Sequence, residues 1–201
     1  LYPPTAPEVA HLRDELHGLI NHPDVPTIYP PLAQLFFRLV CALSTTPAAF
    51  KLALLLCDFG LCLLLWRSLV RRNQDPRRVL LYAWHPLPVI EIAGSGHVDA
   101  LGVLLLFGAL HALQLRRIDA AAAALAGAFL AKLVPLVLLP ALWRRAGEGW
   151  FHLQSRRALI WFPTLALLGY LPFADAGAKL VIGLSTYVQY WHFNAAVYAL
   201  I

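Results

Sequence analysis

The chain has 201 residues, of which 60% are hydrophobic and 13% are charged, and its mean hydropathy is +0.65. Soluble domains are about half apolar and a quarter charged, so this balance argues against an ordinary soluble domain. The formal net charge is +5, but the basic residues stand in short clusters between apolar runs. Such clusters are typical of membrane topology rather than of nucleic-acid binding. We therefore expect an all-α, polytopic transmembrane helical bundle and no nucleic-acid partner.

The first segments of the chain predict a surface region followed by a shallow helix. Residues 1–30 are polar and rich in proline and histidine, and we expect an outer loop packed over the membrane. The apolar stretch at 31–46 is shorter than the roughly twenty residues of a span, so it predicts an interfacial half-helix. Because the chain begins without Met and stops inside an apolar stretch, we expect it to be incomplete at both ends.

The central runs predict crossings separated by cytoplasmic arginines. The run at 47–70 is long enough to cross a bilayer and carries Asp58 near its middle. A carboxylate at that depth faces protein or a water-filled cavity, and we favour an interhelical hydrogen bond over a catalytic role. The positive-inside rule assigns a cytoplasmic loop to Arg71, Arg72, Arg77 and Arg78. We expect a proline-broken return outward at 79–93 and another inward segment at 98–115.

The apolar run at 119–143 conflicts with a simple crossing, because one crossing would place the next basic cluster outside. Two short halves hinged at Lys132 would return the chain to the cytoplasm, and irregular backbone is tolerated where it lines a cavity. We therefore predict a re-entrant hairpin with Lys132 at its apex. A crossing at 158–173, then an outer loop and interface helix at 174–201, would complete one membrane domain over residues 1–201.

One stretch concentrates titratable side chains. Two prolines and a Gly-Ser-Gly turn bring Glu91, His97 and Asp99 within nine positions, just before an apolar run. Ionisable groups at the rim of a bilayer are costly and usually mark a functional site facing a cavity. The alternative is a membrane turn whose polar residues simply face water. On the predicted topology the turn lies outside, in a chamber that we expect to hold further contacts as well: Tyr29, Lys51, Lys132, Trp191 and Asn194.

The chemistry of such a chamber suggests a phosphorylated, lipid-anchored substrate. A carboxylate can accept the proton of an attacking hydroxyl, a step worth about 10²–10⁴-fold in rate. A lysine can neutralise a phosphate leaving group as its charge develops. Proton-coupled transporters also gather acidic and basic groups inside the membrane. The charged residues alone therefore fit a transporter as well as an enzyme that acts on a phosphorylated lipid. The chain has no Asp-x-Asp pair, and we expect neither a metal nor another cofactor.

Five short motifs, taken in order, resemble the GT-C superfamily of integral-membrane glycosyltransferases. They are Ile-Tyr-Pro-Pro-Leu at 28–32, a Lys and an Asp on the next helix, the Glu–Gly-Ser-Gly-His–x–Asp turn, the Lys-x-x-Pro at 132–135 and the Trp-x-Phe-Asn at 191–194. The likeness is to bacterial polyprenyl-phosphate-mannose-dependent mannosyltransferases and to the related GPI mannosyltransferases. It extends over most of the chain, although each motif is short.

The resemblance implies an inverting hexosyltransferase of the bacterial cytoplasmic (inner) membrane whose active site faces outside. Its donor would be a hexose, with mannose as the expected sugar, carried on polyprenyl phosphate, and its acceptor an extracytoplasmic lipid or glycan. In that family the leading catalytic Asp lies in a loop ahead of the Tyr-Pro-Pro element. Neither Asp14 nor Asp24 sits in the acidic motif expected there. We therefore expect the main general base to lie outside these residues.

The resemblance also implies roles for individual residues. His97 and Asp99 would contact the donor sugar or phosphate or support the missing catalytic Asp. Glu91 would orient their turn, and Lys132 would bind the donor phosphate. Further substrate contacts are expected from Tyr29, Lys51, Trp191 and Asn194. Two rival functions remain. One is a proton-coupled secondary transporter that uses Asp58, Glu91 and Asp99 as its proton path, although the sequence shows none of the paired repeats typical of transporters. The other is a non-catalytic membrane subunit.

Overall fold

The computed structural model describes residues 2–140 and 153–190. Within these ranges every regular element is helical and no strand occurs, so the all-α fold class is confirmed. The backbone packs into two compact units. The larger unit is Pro30–Tyr170, and the smaller unit combines Leu1–Tyr29 with Leu171–Ile201. The expectation of a single membrane domain over the whole chain stays a prediction.

The described part of the larger unit has five helices of more than ten residues: α1 (Pro31–Leu43), α2 (Pro47–Arg71), α3 (Asp99–Gln114), α4 (Ile118–Ala131) and α5 (Leu153–Tyr170). A proline occupies the first position of both α1 and α2, where its missing N–H removes no helical hydrogen bond. The Thr46 hydroxyl also caps α2 by accepting a hydrogen bond from the Ala49 N–H at 3.4 Å. These local signals explain why both helices begin where they do.

The segment between α2 and α3 is broken into short pieces at the predicted position. After a 3₁₀ turn at Pro76–Val79 come Leu80–Ala83, Pro86–Pro88 and a π-helix at Val89–Gly94. Proline removes a helical hydrogen bond and crowds the preceding turn, which prevents one continuous helix here. A second break follows α4, because Lys132 has extended backbone angles. The predicted return half of the hairpin, which ends at residue 143, lies partly outside the described residues.

The core of the larger unit is the packing of α4 between α3 and α5. Its alanine-rich face is almost fully buried, with Ala121, Ala122 and Ala126 at 0–1% exposure. Phe162 of α5 packs against this face, and its ring centroid lies 5.9 Å from that of Phe129. Small side chains let helices approach closely without leaving voids, which is how apolar helices associate in membranes. An alanine-rich run therefore becomes the centre of a three-helix layer.

Helix α2 is the described helix that is long and apolar enough to cross a bilayer. A second candidate span arises only if residues 160–176 and 179–190 count as one broken span, so the fold shows one or two candidates by length and composition. Only a small part of α2 is buried in the protein. Its exposed apolar side chains recur at alternating steps of four and three: Leu52, Leu56, Phe59, Leu63, Trp66 and Val70. That spacing forms one continuous apolar stripe along the helix.

The smaller unit combines irregular N-terminal chain with one described helix, α6 (Lys179–Tyr190). Short 3₁₀ turns cover Pro7–Leu12 and His17–Leu19 within the segment predicted as a loop. Gly183 of α6 lies against the backbone carbonyls of residues 26 and 27 so closely that a Cβ atom would overlap them. The absent side chain of Gly183 therefore permits this close approach.

Asp58 makes an interhelical contact near the middle of α2. The Tyr82 hydroxyl donates a hydrogen bond to its carboxylate at 2.6 Å. This contact confirms the interhelical hydrogen bond that we favoured for Asp58. It also ties the broken segment at Leu80–Ala83 to the long helix.

We expect Tyr82→Phe to destabilise the larger unit by about 1–3 kcal/mol, because it leaves the half-buried Asp58 carboxylate without its donor. The measurement is the thermal unfolding midpoint of the purified protein in detergent. The matched control is Tyr170→Phe, which removes a hydroxyl that bonds to no other described residue. Equal shifts for the two variants would contradict a structural role for the Asp58 contact.

Candidate functional site

The turn at residues 89–99 is shaped by a π-helix followed by a left-handed glycine. The wider π-helical turn ends where the Ser95 N–H donates to the Ile90 carbonyl at 2.8 Å. Gly96 has φ +76°, a conformation that costs glycine little and other residues more. The His97 N–H then donates to the Glu91 carbonyl at 2.9 Å. This backbone bond folds His97 back over Glu91. π-Helical turns of this kind are frequent at functional sites.

The His97 imidazole lies between two carboxylates. Its Nε2 is 3.3 Å from Glu91 Oε2, and its Nδ1 is 3.9 Å from Asp99 Oδ2. Both contacts are electrostatic attractions of a protonated imidazole, and neither is a hydrogen bond. The imidazole remains half exposed, as do both carboxylates. A ligand can therefore reach all three groups from solvent.

Asp99 is the first residue of α3, and it pairs with Lys132. The Lys132 ammonium donates a hydrogen bond to Asp99 Oδ1. A carboxylate in the first turn of a helix is also stabilised by the positive end of the helix dipole. Gly102 lies one turn further along α3, and a Cβ built there would be 3.6 Å from Lys132 Cβ. The Lys132 side chain therefore begins beside the first turn of α3, within reach of Asp99.

Lys51 brings a second lysine to the same turn. Its Cγ lies 3.4 Å from the position that a Cβ of Gly96 would occupy, so its aliphatic stem covers the turn. Beneath the turn, a buried apolar cluster joins α1, α2 and the start of α3: Ala33, Leu54, Ile92, Val98 and Ala100. The charged groups are therefore supported by a packed layer rather than by a free loop.

Two clefts meet at Asp99. The first has a volume of about 350 Å³ and carries polar groups from Tyr82, Glu91 and His97 beside apolar walls. The second, of about 300 Å³, lies between α3 and the 3₁₀ turn at Val134–Leu138, and its wall is apolar apart from Asp99 and Lys132. Both volumes fall at the lower end of the range for small-molecule sites. A ligand that filled both clefts would place a polar group against the Asp99–Lys132 pair.

The predicted site residues divide into three groups. Glu91, His97, Asp99 and Lys132 lie in one connected line, and Lys51 covers their turn. Tyr29 belongs to the smaller unit, so its convergence with the turn stays a prediction. The last two predicted contacts lie outside the described residues: Trp191 and Asn194. Within the described ranges, no group of three or more His, Cys, Asp or Glu side chains is arranged to hold a metal ion.

Two residues of the site went unnoticed in the sequence. Tyr82 lines the first cleft while its hydroxyl holds Asp58. Gly102 is the residue of α3 that faces the Cβ of Lys132, at an ordinary van der Waals distance. A signal existed for Gly102, because it follows Asp99 by three residues and so shares its helical face. Tyr82 precedes a proline-broken segment, and no local pattern sets the direction of its side chain.

We expect Gly96→Ala to destabilise the turn by about 1–2 kcal/mol, since an L-residue at φ +76° is strained and the new Cβ meets Lys51. The control is Gly94→Ala, two positions away, where the φ is negative and a Cβ meets only the Val89 carbonyl at 3.8 Å. Thermal unfolding in detergent measures both variants. A Gly94→Ala loss as large as that of Gly96→Ala would contradict the conformational requirement at Gly96.

Comparison of this chain with family models, with curated proteins and with solved structures found no match. The resemblance to GT-C glycosyltransferases therefore rests on the motifs quoted above and stays a prediction. The geometry of the turn does not depend on that resemblance. It places one carboxylate, which is paired with a lysine, between two clefts.

Proposed function

We propose that this protein is an inverting, polyprenyl-phosphate-dependent hexosyltransferase that acts at the outer face of a cytoplasmic membrane. One observation carries the proposal: Asp99, paired with Lys132, lies where the cleft that contains Glu91 and His97 meets a cleft whose wall is otherwise apolar. A lipid-linked sugar has the same division, because a hydrophilic sugar and an isoprenoid chain flank a phosphate. The acceptor would be an extracytoplasmic lipid or glycan, and mannose is the expected sugar.

In this proposal each described group has a role at the phosphate or the sugar. The acceptor hydroxyl oxygen bonds to C1 of the sugar from the face opposite the phosphate. The C1–O bond then breaks, and its electron pair leaves on the phosphate. Lys132 neutralises the charge that develops there, while Asp99 and His97 hydrogen-bond the sugar and Glu91 orients His97. The resemblance assigns the hydroxyl proton to an acidic residue in the loop ahead of the Tyr-Pro-Pro element.

The larger unit also supports a polytopic arrangement in the bilayer. The apolar stripe of α2 is exposed on the protein surface, where lipid tails would cover it at no cost. The 16 residues of α3 extend about 24 Å, which approaches the thickness of the hydrocarbon core. The Asp99–Lys132 pair lies at one end of α3 and Arg116 follows the other end. By the positive-inside rule, the arginine end is cytoplasmic and the site faces outside.

We expect Asp99→Asn and Lys132→Ala each to lower hexosyl transfer by about 10²–10³-fold, because each removes a group that acts on the transferred sugar or its phosphate. The assay uses the full-length protein in liposomes, polyprenyl-phosphate mannose with a labelled sugar, and membrane lipid extract as acceptor. The control is Asp75→Asn, which alters another carboxylate paired with a cation, Arg77, in an exposed loop. Side-chain and backbone hydrogen bonds from Arg77 lower the pKa of the Asp75 carboxyl.

Wild-type activity in the two site variants would contradict the residue assignments. No transfer by the wild type from any polyprenyl-linked hexose would contradict the enzyme itself. In that case the rival proton-coupled transporter gains support, since Tyr82 connects Asp58 to the cleft that contains Glu91 and His97. Proteoliposome uptake that follows an imposed proton gradient, and is lost in Asp58→Asn, would identify that function instead.

A further inference from the structure

The tight turn between α3 and α4 has an unusual residue in its left-handed position. The Arg116 N–H donates to the Leu113 carbonyl at 3.0 Å, and the Arg117 N–H donates to the Ala112 carbonyl at 2.9 Å. This pair of bonds is the Schellman motif, in which the residue after the helix cap adopts a left-handed conformation. Arg116 has φ +59° at that position, where glycine is the usual residue. Arg116 therefore has a strained backbone conformation that a glycine at this position would adopt without strain.

The end of α2 provides an internal comparison. There the Asn73 N–H donates to the Val70 carbonyl at 3.0 Å, and the Gln74 N–H donates to the Leu69 carbonyl at 3.0 Å. The left-handed residue of this second Schellman motif is Asn73, with φ +53°. Asparagine tolerates this conformation better than arginine does. The same turn geometry thus uses a favourable residue after α2 and an unfavourable, charged one after α3.

The side chains at the α3–α4 turn line a basic pocket of about 410 Å³. It is lined by three arginines, one carboxylate and two apolar residues: Arg116, Arg117, Arg157, Asp119, Ile118 and Ala120. Arg157 of α5 donates to Asp119, which fixes its guanidinium at the pocket. Arg116 and Arg117 are exposed, and neither pairs with an acidic side chain among the described residues. The pocket therefore has an excess of two positive charges and two guanidinium groups open to an anion.

An apolar path continues from this pocket along α5. Ile160 and Trp161 lie three and four residues beyond Arg157, on the same helical face, and both are exposed. Leu167 and Leu168 follow two turns later and are more than half exposed. A ligand with an anionic head and an apolar chain would contact both parts, whereas a free anion would use only the pocket.

We propose that this pocket binds the phosphodiester of an anionic phospholipid, with an acyl chain along the exposed face of α5. Guanidinium groups match phosphate oxygens in a bidentate geometry, and basic pockets between membrane helices on the cytoplasmic side bind such head groups. The pocket lies at the opposite end of α3 from Asp99, about 24 Å along the helix, a length that approaches the roughly 30 Å thickness of a hydrocarbon core. This site is independent of the proposed hexosyl transfer and requires only that the hairpin crosses the membrane.

The decisive variant is Arg116→Gly, because it removes a charge while placing glycine at a left-handed position that favours it. The full chain in neutral detergent is titrated with phosphatidylglycerol, and native mass spectrometry measures the bound fraction. We expect Arg116→Gly to weaken binding by about fivefold, and Arg116→Gly/Arg117→Gln by tenfold or more. The unfolding midpoint of Arg116→Gly should equal or exceed that of the wild type, which excludes misfolding as the cause.

The matched control is Arg77→Gln/Arg78→Gln, which removes the same charge from another loop of the predicted cytoplasmic face. It should leave phosphatidylglycerol binding within about twofold of the wild type. A loss of binding as large as that of the Arg116/Arg117 variant would show that diffuse surface charge, and not this pocket, binds the lipid. Equal binding of phosphatidylcholine would also overturn it. Displacement of the lipid by inorganic phosphate at the same concentration would assign the pocket to a free anion instead.

Discussion

The ion pair between Asp99 and Lys132 joins the two open ends of the α3–α4 hairpin, and the candidate site is assembled around it. Asp99 begins α3, and Lys132 is the first residue after α4. In water a half-exposed pair of this kind contributes little stability, commonly less than about 1 kcal/mol. The pair matters because of its position: it places a cation and an anion at the point where the two clefts meet. A phosphate arriving in the apolar cleft would compete with Asp99 for the same ammonium group.

The hairpin has different chemistry at its two ends. The open end carries Asp99 and Lys132 beside the His97 imidazole, whereas the closed end carries Arg116 and Arg117 in a tight turn. The 16 residues of α3 set these ends about 24 Å apart, and the alanine-rich face of α4 packs closely against its neighbours. The hairpin therefore presents a mixed-charge site at one end and, at the other, a pocket in which three arginines outnumber one carboxylate.

The residues of the site that could be recognised in the sequence were those whose roles follow from their near neighbours in the chain. Glu91, His97 and Asp99 are close in the chain, so a short turn was enough to predict that they meet. The break at Lys132 was also foreseeable, because the following Pro135 and the surrounding basic clusters limited how the chain could continue. The hydrogen bond of Asp58 was expected from the cost of a buried carboxylate, but its partner was not. Tyr82 is 24 positions away, and only packing could bring it there.

The sequence by itself determined the helical class, the apolar character and the order of the titratable groups, because composition and periodicity depend on near neighbours. Tertiary structure decided which of those groups touch. It turned His97 onto Glu91 through a π-helical turn, and it brought Lys132 across 33 positions to Asp99. It also gave Arg116, which follows α3, a left-handed backbone conformation. Contacts of this kind depend on helix packing and backbone angles, which no local pattern of residues specifies.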